Sequence, residues 1–390
     1  MTEQQKKRNS HLALLGAAHS LNHSLFVIAP TLLLLIMKDL NVTKTEIGLV
    51  STIASFIYGA GALAGGPLGD RIGEIRTIII CMALSGLSTF IMLAAGLTHA
   101  LYVYAMALIL MAVWASLYHP TANSLISKAF KGKIAESMGL HGAGGTLGTV
   151  LAPVAAGIIG ALFGWSWAFV AFGLLCILLA FVFSRSFDKT ENSSKSHGTI
   201  IDALRIRELW VLLIFNVAIG LFMKGVELFF PTYLVENRGL DVSSAAIAYT
   251  LVLAAGVPGQ LIGGKAADKI GSKKVLIATS TGVCLSLISI LLVPIYIVGI
   301  ALFILLYGLS FYAHQPALNS LTGFLSPQDQ RGAVYGIFFF TSFGIGSISQ
   351  VIAGYIADAY SLDSAFIMLT AFAVVALLLA FRLPEKREKR

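Results

Sequence analysis

The strongest constraint on this chain is a series of apolar runs, each near the ~20 residues that cross a hydrocarbon core about 30 Å thick. Twelve can be read along it: 11–37, 47–68, 76–96, 101–126, 135–160, 165–184, 208–234, 243–266, 273–297, 299–322, 332–357 and 362–382. Only 12% of the 390 residues are charged, against about 25% in an ordinary soluble domain, and the mean hydropathy is +0.85. The runs lack the alternation of a membrane barrel, so helices are the spanning structure left. The expected fold is an all-α membrane protein with twelve transmembrane helices.

A formal charge of +8 raises the question of a nucleic-acid partner. The distribution of the charge excludes it. With the N-terminus inside and the loops alternating, 23 of the 27 basic residues fall in inside segments; the outside loops hold Lys38, Lys44 and Arg238, and Lys224 lies within a span. The positive-inside rule then places both termini in the cytoplasm of a plasma or inner membrane and supports an even span count. "KKRNSH" before the first run has the look of a signal peptide, but the run is too long for one, so an uncleaved first helix is expected. Cys81, Cys176 and Cys284 all lie in apolar runs and form neither a disulfide framework nor a zinc pattern. No cofactor is implied.

The chain repeats itself. "GGPLGDRIGEIRTII" at 65–79 matches "GGKAADKIGSKKVLI" at 263–277, pairing Asp70 with Asp268. "HPTANSL" at 119–125 matches "QPALNSL" at 315–321, pairing His119 with Gln315, Pro120 with Pro316 and Asn123 with Asn319. "AGIIG" at 156–160 matches "AGYIA" at 353–357, and "APT" at 29–31 matches "FPT" at 230–232. Four matches in one order, at nearly one shift, argue for duplicated six-helix halves. The expected domains are an N-terminal bundle over 1–184, a polar cytoplasmic linker over 185–207 and a C-terminal bundle over 208–390. Two such pseudo-symmetric halves with a binding site between them describe a rocking carrier, for which a monomer suffices.

The repeated loop, read as Gly66, Asp70, Arg71 and Gly73 and again as Asp268, Lys269 and Gly271, resembles the major facilitator superfamily, and the resemblance covers essentially the whole chain. Within it, "SLYHPTANSLIS" at 116–127 and "AHSLNH" at 18–23 are similar to the fosmidomycin-resistance type of efflux carrier. The resemblance implies that each loop is a conformational gate, Asp70 facing the start of span eleven near Gly332 and Asp268 the start of span five near Ala135. "GTVLAPVAAG" at 148–157, with Pro153, resembles the antiporter signature of the superfamily, with Ala152 and Ala156 where the signature has glycines. Span four has no arginine of the kind common in drug–proton antiporters, which moves the implied coupling role to His119 or Glu227. Asn22–His23 stands where the fosmidomycin-resistance type is associated with an asparagine–acid pair.

The most unusual residues lie in "LFMKGVELFF" at 221–230, where Lys224 and Glu227 interrupt span seven. An unsatisfied charge there costs at least ~3 kcal/mol. At i,i+3 the two can pair along one helix face, and Asn216 and Gly220 share that face. His19, Asn22 and His23 share a face of span one, with His23 at the position equivalent to Lys224. Lys224 is a candidate anion receptor, and Glu227 or His23 a candidate proton carrier. His119, Asn123 and His141 in spans four and five, and His314, Gln315 and Asn319 in span ten, are further pathway candidates. Pro120 and Pro316 are candidate bending points; Trp114, Tyr118, Tyr307 and Phe311 are candidate cavity aromatics. The leading expectation is proton-coupled efflux of a small organic molecule by antiport. The alternatives are uptake of an organic anion by proton symport and a divalent-metal carrier using the His19–His23 pair, which no carboxylate of that helix accompanies. No site pattern of a membrane enzyme is present, and a non-transporting receptor is the remaining class.

Overall fold

The structure is a computed structural model that describes residues 3–129, 134–186, 205, 207–326 and 331–385; within the helices, the side chains of 3–9, 66, 67, 70, 127–129, 134–136, 138, 139, 207, 208 and 331–333 are outside the description. The described residues contain helices and no strands. Twelve helical segments are long and apolar enough to cross a membrane, from Ser10–Thr31 to Leu362–Ala380. The chain separates into two compact units, Met1–Val42 with Ile53–Lys195, and Thr43–Thr52 with Ser196–Arg390. Residues 43–52, at the start of span two, thus group with the second unit, a division the linear reading of two halves does not contain. Most of the expected linker lies outside the described residues.

The first unit begins with α1 (Glu3–Thr31) and α2 (Leu33–Leu40), which together make the first predicted span. It continues with α3 (Lys44–Ile72), α4 (Glu74–Ser88), α5 (Ile91–Thr98), α6 (Leu101–Ala115), α7 (Tyr118–Ala129), α8 (Ile134–Phe163) and α9 (Trp165–Ser186). The dominant packing within it is α1 against α8 and α4 against α9 and α6. At the α2 end of this unit, Trp165 Nε1 donates to Asp39 Oδ2 at 2.8 Å, and His99 Nδ1 lies 3.1 Å from Asp39 Oδ1.

The second unit comprises α10 (Arg207–Glu236), α11 (Val242–Ile270), α12 (Ser272–Leu292), α13 (Tyr296–Leu325), α14 (Arg331–Phe339), α15 (Ile348–Ala359) and α16 (Leu362–Ala380). Its core is α13 against α11 and α12, and α10 against α16. The first residues of α3 belong here and are tied down by polar contacts. Thr43 and Glu46 form a reciprocal capping box, Thr43 N to Glu46 Oε2 at 2.8 Å and Glu46 N to Thr43 Oγ1 at 3.2 Å. Asp358 accepts from Lys44 N at 3.1 Å and from Thr45 N and Oγ1, both at 2.6 Å. The carboxylate satisfies backbone donors that the first turn of a helix leaves open.

The eleventh span departs from the single helix predicted over 332–357. Between α14 and α15 the backbone passes through a π turn at Phe340–Gly344 and a 3₁₀ turn at Ile345–Ser347. The cause is in α10: Asn216 Nδ2 donates to Phe338 O at 2.7 Å and to Thr341 Oγ1 at 2.8 Å, where a regular helix would use its own donors. Gly220 of the same face approaches so closely that a Cβ on Gly346 would stand 2.5 Å from Gly220 Cα.

The duplicated loops fold alike. Gly73 caps α4 at φ 96°, ψ 140°, and Gly271 caps α12 at φ 94°, ψ 143°. This region is essentially closed to residues with a Cβ, which explains why both copies of the motif carry glycine at that step. Arg71, Asp268 and Lys269 are exposed. The expectation that Asp70 faces Gly332 and Asp268 faces Ala135 falls on side chains outside the described residues, as do Gly66 and Asp70 themselves.

Candidate functional site

Among the described residues, two polar clusters stand out against the apolar interior, one in each unit. In the second unit, Lys224 Nζ lies 2.7 Å from Glu227 Oε2, one turn further along α10. The lysine side chain is 7% exposed and the glutamate 28%. A buried ammonium needs more than one partner, and the π turn supplies the second: Lys224 Nζ sits 4.3 Å from the centroid of the Phe343 ring, a cation–π contact. Tyr249 of α11 and Tyr307 and Tyr312 of α13 lie within electrostatic range of the Glu227 carboxylate. Phe303, Tyr307 and Phe311 stack along α13 with centroids 4.9 and 5.3 Å apart, and Phe222 meets the last two edge-on at 6.5 and 6.3 Å. The result is a half-open carboxylate, a nearly closed ammonium and an aromatic wall in one unit. That arrangement can hold an anionic group and exchange a proton.

In the first unit, four imidazoles gather. His19 stacks on His141 at 4.2 Å, and lies 4.7 Å from His23 and 5.0 Å from His119 between ring centroids. His19 Nδ1 donates to His141 O at 2.8 Å. The Tyr118 hydroxyl is 3.0 Å from His141 Nε2 and donates to Leu15 O at 2.5 Å. Asn22 Nδ2 donates to Ala115 O at 3.0 Å, and Asn22 Oδ1 accepts from the Tyr58 hydroxyl at 2.9 Å. These bonds place α1 against α3, α6, α7 and α8. Gly145 makes room for the cluster, since a Cβ there would stand 2.5 Å from the His19 ring.

The two groups that the sequence brings together along single helices, His19–Asn22–His23 and Asn216–Gly220–Lys224–Glu227, do lie together. His119 and His141 join the first from other helices. The remaining pathway candidates disperse. His314 is buried and contacts Phe311 O of its own helix. Gln315 Oε1 accepts from Gln260 Nε2 at 3.4 Å, while Asn123 and Asn319 are exposed. Trp114 is half-buried. The paired prolines are not equivalent. Span four is interrupted just before Pro120, between Ala115 and Tyr118, so that Pro120 falls in the first turn of α7, where a missing N–H costs nothing. Pro316 and Pro153 lie inside uninterrupted helices.

Tyr58, Phe343, Gly145 and Glu74 were not legible as site residues. Tyr58 and Phe343 gave no signal beyond an aromatic ring in an apolar run. Glu74 gave one: the repeat pairs it with Ser272, so the acid is peculiar to the first copy. It is buried at the start of α4, where Ser124 Oγ donates to its Oε1 at 3.0 Å.

A family model described as Major Facilitator Superfamily matches residues 12–350. The chain is similar to the fosmidomycin resistance protein of Escherichia coli (strain K12), 26% identical with 98% of this chain and 95% of that protein covered. It is also similar to the hexuronate transporter of Bacillus subtilis (strain 168), 26% identical with 95% and 92% covered. Among solved structures, it shares its fold with a bacterial homologue of the human lysosomal transporter Spinster in an inward-facing, unoccupied conformation, at a TM-score of 0.78, 18% identity and 98% coverage of both chains.

Proposed function

The chain belongs to the Major Facilitator Superfamily, and on that premise we propose that it is a proton-coupled carrier of a small organic anion, working by alternating access. It is a multi-pass membrane transporter and not an enzyme. The observation that carries the finer reading is the Lys224–Glu227 pair, 2.7 Å apart within a membrane span. While Glu227 is ionised it neutralises Lys224 and competes with any anionic cargo. Protonation of Glu227 removes that competitor and leaves the ammonium to the cargo. Proton and anion therefore favour each other's binding, the linkage a symporter requires. Among the described residues, Tyr249, Tyr307 and Tyr312 also lie within electrostatic range of the carboxylate. Similarity to a hexuronate transporter supports a carboxylate cargo.

Export by proton antiport is the second reading. It is favoured by the match to the fosmidomycin resistance protein along 98% of the chain and by the partial antiporter signature of span five. Antiport requires that proton and cargo exclude each other, whereas the pair in α10 favours their joint binding. Reconstitution in vesicles with an imposed pH gradient separates the two. Symport predicts that added hexuronate, or another small carboxylate from a panel, carries protons in its own direction. Antiport predicts that fosmidomycin or another cargo moves protons the opposite way. Proton flux unaffected by any organic solute tested contradicts both. A cytoplasmic position for both termini and a monomeric state complete the proposal.

A further inference from the structure

The histidine cluster of the first unit is not used by the mechanism above. We propose that His19, His23 and His119 form a binding site for a first-row divalent transition cation, Zn²⁺ being the best match, with at least one coordination position left open. One ring nitrogen of each residue lies within 4.8 Å of those of the other two. Tetrahedral coordination at Zn–N distances of 2.0–2.1 Å needs such nitrogens ~3.3 Å apart, so the rings close inward by about 1 Å.

The state of His19 is the second observation. A carbonyl oxygen only accepts, so the 2.8 Å bond to His141 O places the proton on Nδ1. Nε2 then presents its lone pair, and it is buried without a hydrogen-bond partner. A buried acceptor left this way costs on the order of 1–3 kcal/mol, and a cation would satisfy it. An imidazole whose other nitrogen donates to a backbone carbonyl is also the arrangement that orients metal-binding histidines. The pieces are fixed from three helices: His19 and His23 are one turn apart on α1, His119 comes from α7, and His141 of α8 both stacks on His19 and supplies the carbonyl. Gly145 of α8 leaves the space that the His19 ring fills. His23 and His119 are half-buried, which gives an ion a way in.

The donor chemistry selects the ion. Three imidazoles suit Zn²⁺, Cu²⁺, Ni²⁺ or Co²⁺ and do not suit Mg²⁺ or Ca²⁺, which take oxygen ligands. Neutral imidazoles leave the cation's charge uncompensated inside a membrane bundle, so the open position takes hydroxide or a small anion. These histidines belong to the first unit and the Lys224–Glu227 pair to the second, and neither proposal requires the other.

The test uses the full chain, untagged, purified in detergent and stripped with a chelator. Titration with Zn²⁺ by calorimetry is expected to show one cation per chain. Co²⁺ is expected to bind with the visible spectrum of a low-coordinate nitrogen site, and Mg²⁺ not to bind. His23→Gln and His119→Gln are each expected to weaken Zn²⁺ binding by about 10–100-fold or more. His119→Cys is expected to restore most of it, because a thiolate is also a zinc ligand. Gly145→Ala, which presses on the His19 ring while all three proposed ligands stay in the sequence, is expected to weaken binding while the melting temperature shows that the bundle has folded. Absence of a stoichiometric Zn²⁺ site in the unsubstituted protein overturns the proposal. So does Zn²⁺ affinity unchanged in His23→Gln and His119→Gln, which would assign the ion to histidines outside the cluster such as His11 and His99.

Discussion

Lys224 and Glu227 close an ion pair at 2.7 Å within the seventh span, and the lysine is also capped by the face of Phe343 at 4.3 Å. The two contacts come from different helices. The chain therefore holds a cation inside the bilayer with one partner that can be neutralised and one that cannot. Protonating Glu227 changes what Lys224 can bind without expelling it from its place.

Lys224→Ala is expected to abolish accumulation of the anionic cargo, with a loss of two orders of magnitude or more in initial rate as the working threshold. Lys224→Arg is expected to retain part of it, since the charge is kept. The protein should stay monodisperse, because the carboxylate left without its partner is 28% exposed. Radiolabelled uptake in reconstituted vesicles, paired with size-exclusion profiles, checks both. Full activity in Lys224→Ala would return the pair to a packing role.

Asn216→Ala removes both hydrogen bonds that hold the π turn of the eleventh span. A loss of about 1–3 kcal/mol in stability is expected, read as a lower melting temperature in detergent. Because Phe343 rides on that turn, cargo affinity should fall in the same variant. A melting temperature and affinity equal to those of the unsubstituted protein would show that the turn is held by something else.

Gly73→Ala and Gly271→Ala test the duplicated loops. Nothing lies within 4 Å of a Cβ built on either glycine, so any cost comes from the backbone alone. With φ at 96° and 94°, each is expected to lose about 1–3 kcal/mol. Similar losses in the two variants would express the internal repeat in energies, whereas a silent change at either position would break the equivalence.

Asp241 caps α11 by accepting from Ser244 N at 3.0 Å, and also takes the Ser244 hydroxyl at 2.5 Å. These bonds to Ser244 hold its carboxyl below the ordinary range. A carboxylate whose folded value is depressed contributes stability that is complete above its ordinary pKa and is lost as pH falls through the depressed one. Asp241→Asn keeps a capping oxygen but removes the titration. Melting curves should therefore differ between the two proteins in pH dependence below the ordinary carboxylate range and coincide in slope near neutrality. Identical slopes throughout would remove the cap from the acid response.

Much of this architecture could be read from the sequence because a bilayer leaves few options. Uninterrupted apolar runs report spans directly. The Lys224–Glu227 pair was equally legible, since two charges in an apolar run demand a local partner and the i,i+3 spacing names it. What could not be read depends on neighbours distant in sequence. The π turn arises because Asn216 reaches a carbonyl 122 residues away. The fourfold imidazole group needs α7 and α8 to bring His119 and His141 to His19, and no periodicity along α1 encodes that. Pro120 and Pro316 show the converse limit. Aligned residues in a repeat need not keep the same backbone, because the break before Pro120 lies between Ala115 and Tyr118, while α13 runs through Pro316 unbroken.

The most direct measurement is the pH dependence of anion binding to purified protein, compared between the unsubstituted chain and Glu227→Gln, with hexuronate as the first ligand in a carboxylate panel. The account predicts that affinity rises as pH falls in the unsubstituted protein. It also predicts that Glu227→Gln, a mimic of the protonated side chain, binds tightly at every pH yet no longer moves protons with its cargo. Unchanged pH dependence in Glu227→Gln, or proton flux that survives the substitution, would contradict it.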